Sequence, residues 1–288
     1  MMKPDEYAAA RDQLVVKANE LIQKDRFSLT TQQQKIVLYL ISKIKPDDAD
    51  FRMLEFDILE FCKVCGVSTQ SGKHYTDLKA AIKELADKSM YILLPDKTRE
   101  TLIRWIEKPY FNERSGIVQI RIDEDMRPYL LQLRENFTQY ELVYTLLFRS
   151  QYSLRLFELL KSKHFHTLET YTYRVSVEDL REYLVVNDPQ KEDKRRPGGP
   201  EDPKYTEYRD FKRRVLTPAL KEINEYGDIR VDFAEIKRGR SVCEVEFTIN
   251  PKSTGALAET RKKIDLKLGD DQISIWDYLL PAGSELCQ

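Results

Sequence analysis

Behind Phe27-Ser28-Leu29-Thr30, which offers several capping groups, Ile36, Val37, Leu40, Ile41 and Ile44 recur at helical spacing until Pro46 stops the helix. Phe56, Leu59, Phe61 and Cys62 predict a second, short helix over 55–65, with Gly66 just past its end. Tyr75, Leu78, Ile82 and Leu85 form one face of a third helix over 73–88. Three runs rich in β-branched and aromatic residues follow, at 90–94, 101–106 and 117–122, with turn residues between them. Three helices followed by a hairpin is the order of a winged helix.

The second half repeats the order. Apolar spacing predicts one long helix over about 140–163, then a strand at 171–175, and Ser176 as the cap of a helix running to about Leu184. Residues 187–204 hold four prolines, Gly198-Gly199 and the charged run 191–196, a composition that predicts a mobile surface loop. A third helix starts near Tyr205, with Tyr208, Phe211, Val215, Ala219 and Ile223 on one side and Thr206, Asp210, Arg213 and Thr217 on the other. Arg214 and Lys221 flank that outward stripe. Thr217-Pro218 reads as a cap and first residue, predicting a kink where the helix restarts. Strands at 231–236 and 242–249, joined by Lys237-Arg238-Gly239-Arg240, form the second hairpin. The fold class expected is therefore α+β, two tandem winged-helix domains over 12–136 and 137–250, with a tail over 251–288 whose role the sequence does not reveal.

A duplication ties the halves together. Tyr75-Thr76-Asp77-Leu78-Lys79-Ala80-Ala81-Ile82 matches Tyr208-Arg209-Asp210-Phe211-Lys212-Arg213-Arg214-Val215 at an offset of 133 residues. Tyr, Asp and Lys recur, and Ala80-Ala81 becomes Arg213-Arg214. One unit is used twice, and its second copy carries the chemistry for an anion. An exposed helix with two arginines can enter a DNA major groove, where the planar guanidinium fork fits the two acceptors of guanine. Ten Lys/Arg stand against seven Asp/Glu between Lys204 and Arg240. The basic turn at 237–240 can reach neighbouring phosphates. The plain alternative, a solvated charged helix, is the usual fate of such runs, and the wing and the duplicate weigh against it. The first copy offers Lys73, His74, Asp77 and Lys83 outward, a weaker reader or a phosphate contact.

Charge and cysteine usage narrow the class. The chain has 288 residues, 33% of them charged, and a formal net charge of -1. No apolar run approaches the ~18 residues of a membrane span, and the polar stretch Met1–Gln13 is not a secretory signal. Four cysteines (Cys62, Cys65, Cys243, Cys287) do not form a disulfide framework and point to a reducing cytoplasm. Cys62-Lys63-Val64-Cys65 lacks a second ligand pair for zinc and ends a helix rather than starting one, so buried apolar cysteines are the simpler reading. There is no phosphate-binding Gly-x-x-x-x-Gly-Lys loop. His164-Phe165-His166 has the spelling of the metal-ligand pair of rolling-circle nicking enzymes, but it follows a helix, where its two rings would not share a side as they do on a strand. No catalytic residue, metal or cofactor is therefore expected.

Val15-Val16-Lys17-Ala18-Asn19-Glu20-Leu21, Gln33-Gln34-Lys35-Ile36-Val37-Leu38-Tyr39-Leu40-Ile41, Phe211-Lys212-Arg213-Arg214-Val215-Leu216 with Glu222-Ile223-Asn224, and Ile236-Lys237-Arg238-Gly239-Arg240 resemble, in order and spacing, the Rep_3 (RepB/RepE-like) family of iteron-binding plasmid replication initiators. The likeness covers about residues 12 to 250; the 187–204 loop and the tail do not match. It implies two winged helices gripping origin repeats, with the C-terminal domain as main sequence reader and the N-terminal domain making backbone contacts and the dimer interface. Ile117–Ile122 and Met126–Leu133 are candidates for that interface. The resemblance assigns the reader to Lys212, Arg213 and Arg214 and the wing to Lys237, Arg238 and Arg240, with Arg209, Lys221, Lys73, His74 and Lys83 as further DNA contacts. It implies monomers that start replication on double-stranded origin repeats, dimers that repress their own promoter, and contacts with host initiation proteins and helicase in the bacterial cytoplasm. A winged-helix transcription repressor, and a nicking enzyme using His164 and His166, are the alternatives.

Overall fold

Thr30 begins the first long helix as its sequence predicts. Its hydroxyl accepts from the Gln33 amide at 3.2 Å, and the Gln33 side chain accepts from the Thr30 amide at 3.1 Å, a reciprocal capping box. The computed structural model describes residues 4–24, 28–45, 47–65, 73–93, 100–112, 114–163, 169–187, 192–193, 196–200 and 204–279, at a few of these positions the backbone alone. His164 and His166 lie outside the described residues.

The first unit runs α1 (Pro4–Arg11), β1 (Leu14–Ala18), α2 (Asn19–Lys24), α3 (Thr31–Ser42), β2 (Leu54–Asp57), α4 (Ile58–Cys65), α5 (Lys73–Asp87), β3 (Ser89–Leu93), β4 (Glu100–Arg104), β5 (Tyr110–Asn112) and β6 (Ile117–Ile120). Strands β3 and β4 pair antiparallel, and β2, β6 and β5 form a sheet in that order. The helix expected over 55–65 is shorter than its spacing implied. Leu54 and Phe56 are buried and Glu55 is exposed, a period of two, so 54–57 pairs with β6 instead. The Asp57 carboxylate then caps α4, accepting from the amides of Leu59 at 2.6 Å and Glu60 at 3.2 Å. Buried Arg11 closes the other end of α4 by donating to the carbonyls of Lys63 and Val64. Cys62 and Cys65 lie in the core, where burial pushes both thiols up to about 12.

The single helix expected over 140–163 is also corrected. A 3-10 turn (Glu124–Met126) and α6 (Arg127–Leu130) lead into β7 (Phe137–Glu141), α7 (Val143–Leu146) and α8 (Gln151–Ser162). Thr138 and Tyr140 alternate inward, and β7 pairs with β1 from Leu14↔Glu141 to Ala18↔Phe137. The expected division at 136/137 falls just before this strand. Ser150 caps α8 by accepting from the Tyr152 amide at 3.1 Å. The proposed dimer surface needs correction too. Val118, Ile120, Ile122, Met126, Tyr129, Leu130 and Leu131 are buried within the chain, and β6 is the central strand of its sheet.

The second unit continues with β8 (Tyr171–Ser176), α9 (Val177–Tyr183), β9 (Glu192–Asp193), β10 (Arg196–Pro200), α10 (Tyr208–Phe211), a π-helical segment (Lys212–Leu216), α11 (Thr217–Tyr226), β11 (Ile229–Arg238), β12 (Ser241–Pro251) and α12 (Thr254–Leu279). Ser176 caps α9 as expected, accepting from the Asp179 amide at 3.0 Å. The sheet order is β11-β12-β8. In both units the strand that ends in a helix cap, β2 or β8, pairs with the last strand, β6 or β12. Within 187–204, β9 and β10 form a short antiparallel pair. Among the described residues no helix is long and apolar enough to cross a membrane.

Helix α8 is buried on nearly every side, with Leu154, Leu156, Phe157, Leu159 and Leu160 at most 2% exposed. A helix buried all round must sit between other elements. Lys17 of β1 reaches Glu158 of α8 at 2.5 Å, with both side chains under 10% exposed, and the Tyr140 hydroxyl of β7 donates to the same carboxylate. Gln23 donates to Ser162 Oγ at 3.1 Å, and the Tyr183 hydroxyl donates to the Ile22 carbonyl at 2.5 Å. Removing one member of a buried ion pair strands the other charge. Lys17→Met should therefore lower the unfolding free energy in urea by roughly 3–5 kcal/mol. A loss below about 1 kcal/mol would place the pair with ordinary surface salt bridges.

Candidate nucleic-acid interface

The two copies of the repeated segment fold alike. Leu78 and Ile82 of α5 and their counterparts Phe211 and Val215 are at most 1% exposed. The lysine shared by the copies has one structural role in both. Lys79 lies 5.4 Å from the ring centroid of Phe111 in β5, and Lys212 lies 5.5 Å from that of Phe233 in β11. Lys212 also pairs with Glu235 at 2.7 Å, and the Tyr208 hydroxyl donates to the same carboxylate at 3.0 Å. These hydrogen bonds, Lys212 first, hold the Glu235 carboxyl below its usual range. Lys212, expected to be a reader, is thus turned to the wing sheet, and it fixes the helix against that sheet.

The copies diverge at the arginines. Ala81 is buried, yet its counterpart Arg214 is exposed. The second copy also holds a π-helical segment at this point, Lys212–Leu216. The Thr217 amide bonds to the Lys212 carbonyl, five residues back, so this turn holds an extra residue. Pro218 accounts for it: proline has no amide hydrogen, and its ring would strike the carbonyl four residues earlier, that of Arg214. The expected restart at Thr217-Pro218 does not occur, because Thr217 is helical (φ -62, ψ -46) and the helix runs on. Arg214 lies within this wider turn and is open to solvent. Among the described residues Arg214 has no hydrogen-bond or ion-pair partner. Arg213, with its side chain 61% exposed, is held by Asp210 at 2.7 Å. Arg209, Thr217, Pro218 and Lys221 complete the exposed stripe.

The wing stands beside the start of this helix. Gly239 has φ +64 at the first of two central turn positions, which favours glycine, and Arg238 pairs with Ser241 across the turn. Lys237, Arg238 and Arg240 are exposed. Thr206 and Tyr208 line an open cleft together with Arg238 and Val242. In the first unit Lys83 is exposed on α5, 5.8 Å from the Phe111 ring. The side chains of Lys73 and His74 lie outside the described residues.

Several residues that hold the helix α10–α11 in place carry no signal of a site in the sequence. Arg181 of α9 donates to the carbonyls of Tyr205 at 2.5 Å and Thr206 at 3.1 Å, and stacks 4.7 Å from the Phe211 centroid. It thereby secures Tyr205, a non-glycine residue at φ +51. At the other end, the Glu222 carboxylate accepts from the amides of Arg149 and Ser150 before α8. The Asn224 side chain brackets Val231, donating to its carbonyl at 2.8 Å and accepting from its amide at 2.6 Å. The stretch Glu222-Ile223-Asn224 is therefore structural. Its pattern in the sequence is polar residues flanking a core isoleucine at a helix end.

Residues 14–161 match the family described as initiator replication protein, WH1, and residues 176–249 match initiator Rep protein, WH2. A replication initiation protein of Escherichia coli is 23% identical over 265 residues, covering 90% of this chain and 77% of its own length. A PI protein of Escherichia coli is 29% identical over 216 residues, covering 73% of this chain and 66% of its own. Among solved structures, the Pi initiator protein in complex with iteron DNA superposes with a TM-score of 0.68 at 20% identity, covering 84% of this chain and 99% of that one. This likeness establishes the fold, two winged helices in tandem.

If Pro218 forces the wide turn, Pro218→Ala restores an amide hydrogen that can bond to the Arg214 carbonyl and lets the turn close. Arg214 then moves toward the buried position that Ala81 holds. The preference for a specific DNA site over random DNA should fall by about ten-fold, within the ~1–3 kcal/mol carried by one base-reading arginine, with no drop in melting temperature. An unchanged preference would show that the π turn does not set Arg214.

Proposed function

The chain belongs to the initiator replication protein family, and from that premise we propose that it binds repeated sites at a plasmid origin with both winged helices. The helix α10–α11 enters a major groove. Arg214 and Arg213 read guanine through their paired N–H groups, Arg213 oriented by Asp210. Arg209 and Lys221 flank them, and Lys237, Arg238 and Arg240 of the wing hold phosphates. Helix α5, through Lys83 and with Lys73 and His74, makes a lighter contact in the neighbouring groove.

The observation that carries this reading is the exposed Arg214, without a partner among the described residues, on a helix whose start stands beside a basic wing, in the second of two family-matched winged helices. The solved Pi initiator structure supports it, since that relative is in complex with iteron DNA. The action is non-enzymatic: binding origin repeats distorts the duplex and gathers host initiation proteins and helicase. As a dimer the protein represses its own promoter. It works in the bacterial cytoplasm on plasmid DNA, without metal or cofactor.

The duplication supplies the control. Arg213→Ala with Arg214→Ala gives the second copy the Ala-Ala of the first, and both side chains point away from the core. Each arginine should supply roughly 1–3 kcal/mol of discrimination, so affinity for an origin repeat should fall heavily. Binding to random DNA should fall less and keep its steep salt dependence. Titration of both DNAs across a salt series checks this. An unchanged ratio between them removes Arg213 and Arg214 as readers.

A further inference from the structure

Helix α12 lies beyond the family-matched residues, which end at 249. It packs by a stripe at every fourth position, Thr260, Ile264 and Leu268, each 7% exposed or less. Its charged residues reach in two directions. Toward the second unit, Lys263 pairs with Glu225 at 2.8 Å, and Lys267 bonds to the Tyr226 hydroxyl and lies 3.6 Å from Glu225. Glu225 and Tyr226 end the reader helix. Just ahead of α12, Lys252 donates to the Asn224 carbonyl at 2.9 Å and to Thr260 of α12 at 3.0 Å. Three ammonium groups thus gather at the carboxyl end of α11, where the helix dipole favours them.

Toward the first unit, Arg261 pairs with Asp12, which precedes β1, and with Glu141 at 3.4 Å, which ends β7. Its own helix adds Asp265 at 3.4 Å. One guanidinium therefore holds a carboxylate just before β1 and one at the end of β7, on a helix that is also bound to the base of the reader.

We infer that α12 is a strap that sets the position of the reader helix relative to the first winged helix, and that Arg261 is the positioning residue that fastens it. The inference rests on the two-unit DNA reading above for its consequence, a fixed spacing between the two DNA contacts. Each ion pair is partly exposed and individually weak, so the strap is releasable and the spacing adjustable. Without it, the second unit to bind loses the benefit of being already in place.

The test uses the full chain with Arg261→Glu, Asp12→Arg and the two together. For distances, Lys45→Cys and Glu169→Cys carry spin labels in a chain with Cys243→Ser and Cys287→Ser. The unmodified strap should give one narrow distance, Arg261→Glu a broad distribution, and the reciprocal pair a narrow one again. Affinity for a complete repeat should fall by about ten-fold in Arg261→Glu as the tethering benefit is lost. Affinity for a repeat randomised in the half facing the first unit should be unchanged. The reciprocal pair should recover the complete repeat. An unchanged distance distribution in Arg261→Glu, or equal losses on both DNAs, would overturn the strap. If the unmodified protein prefers no repeat over random DNA, the functional reading fails, and the distances still decide the strap.

Discussion

Glu158 lies in the middle of a helix with almost no access to water, and it takes Lys17 at 2.5 Å together with the Tyr140 hydroxyl. A carboxylate in that position is tolerable only with its partners in place. The strand pair β1–β7 must therefore cross α8 at this residue and no other. Helix α8 also meets the end of α11, where Lys161 pairs with Asp228 at 2.7 Å. Gly227 leaves no room for a side chain there: a Cβ would stand 2.7 Å from the Ile223 carbonyl and 3.3 Å from the Phe157 ring. Helix α8 thus touches the β1–β7 pair through Glu158 and the end of α11 through Phe157.

Within that frame the two copies of the winged helix differ at the residues proposed to face DNA. The shared lysine keeps its place over a wing phenylalanine in both copies, Lys79 on Phe111 and Lys212 on Phe233. The apolar face is equally retained. What differs is the arginine pair and the wide turn ahead of Pro218 that contains it; the aspartate present in both copies, here Asp210, holds Arg213. Arg181 secures the start of this helix, and Asn224 ties its end to the wing. A helix held at both ends is pre-organised, so in the proposed DNA contact little binding free energy is spent on ordering it.

Periodicity made α3, α5, α9 and the second wing legible, because long or well-capped elements repeat one period without interruption. Short strands were not. Leu54–Asp57 and Phe137–Glu141 are five residues or fewer, and each adjoins a helix whose apolar spacing absorbed it. The charged stripe of Arg209, Arg213, Arg214 and Lys221 is exposed where helical spacing put it or close by, although the π turn was hidden behind a Thr-Pro pair that reads as an ordinary helix start. The capture of Lys212 by Glu235, 23 residues away, is a tertiary contact that no local pattern encodes. Nor could the tail be read, since α12 is anchored by Asp12 and Glu141, far away in the chain.

If two winged helices of one chain engage one DNA site, a footprint on the DNA flanking the gene will show it. With readers in successive major grooves, about 10 base pairs apart, each bound chain protects on the order of 20 base pairs on one face. The expected pattern is a ladder of such footprints over evenly spaced direct repeats. A single operator, or protection confined to half a turn, would contradict it.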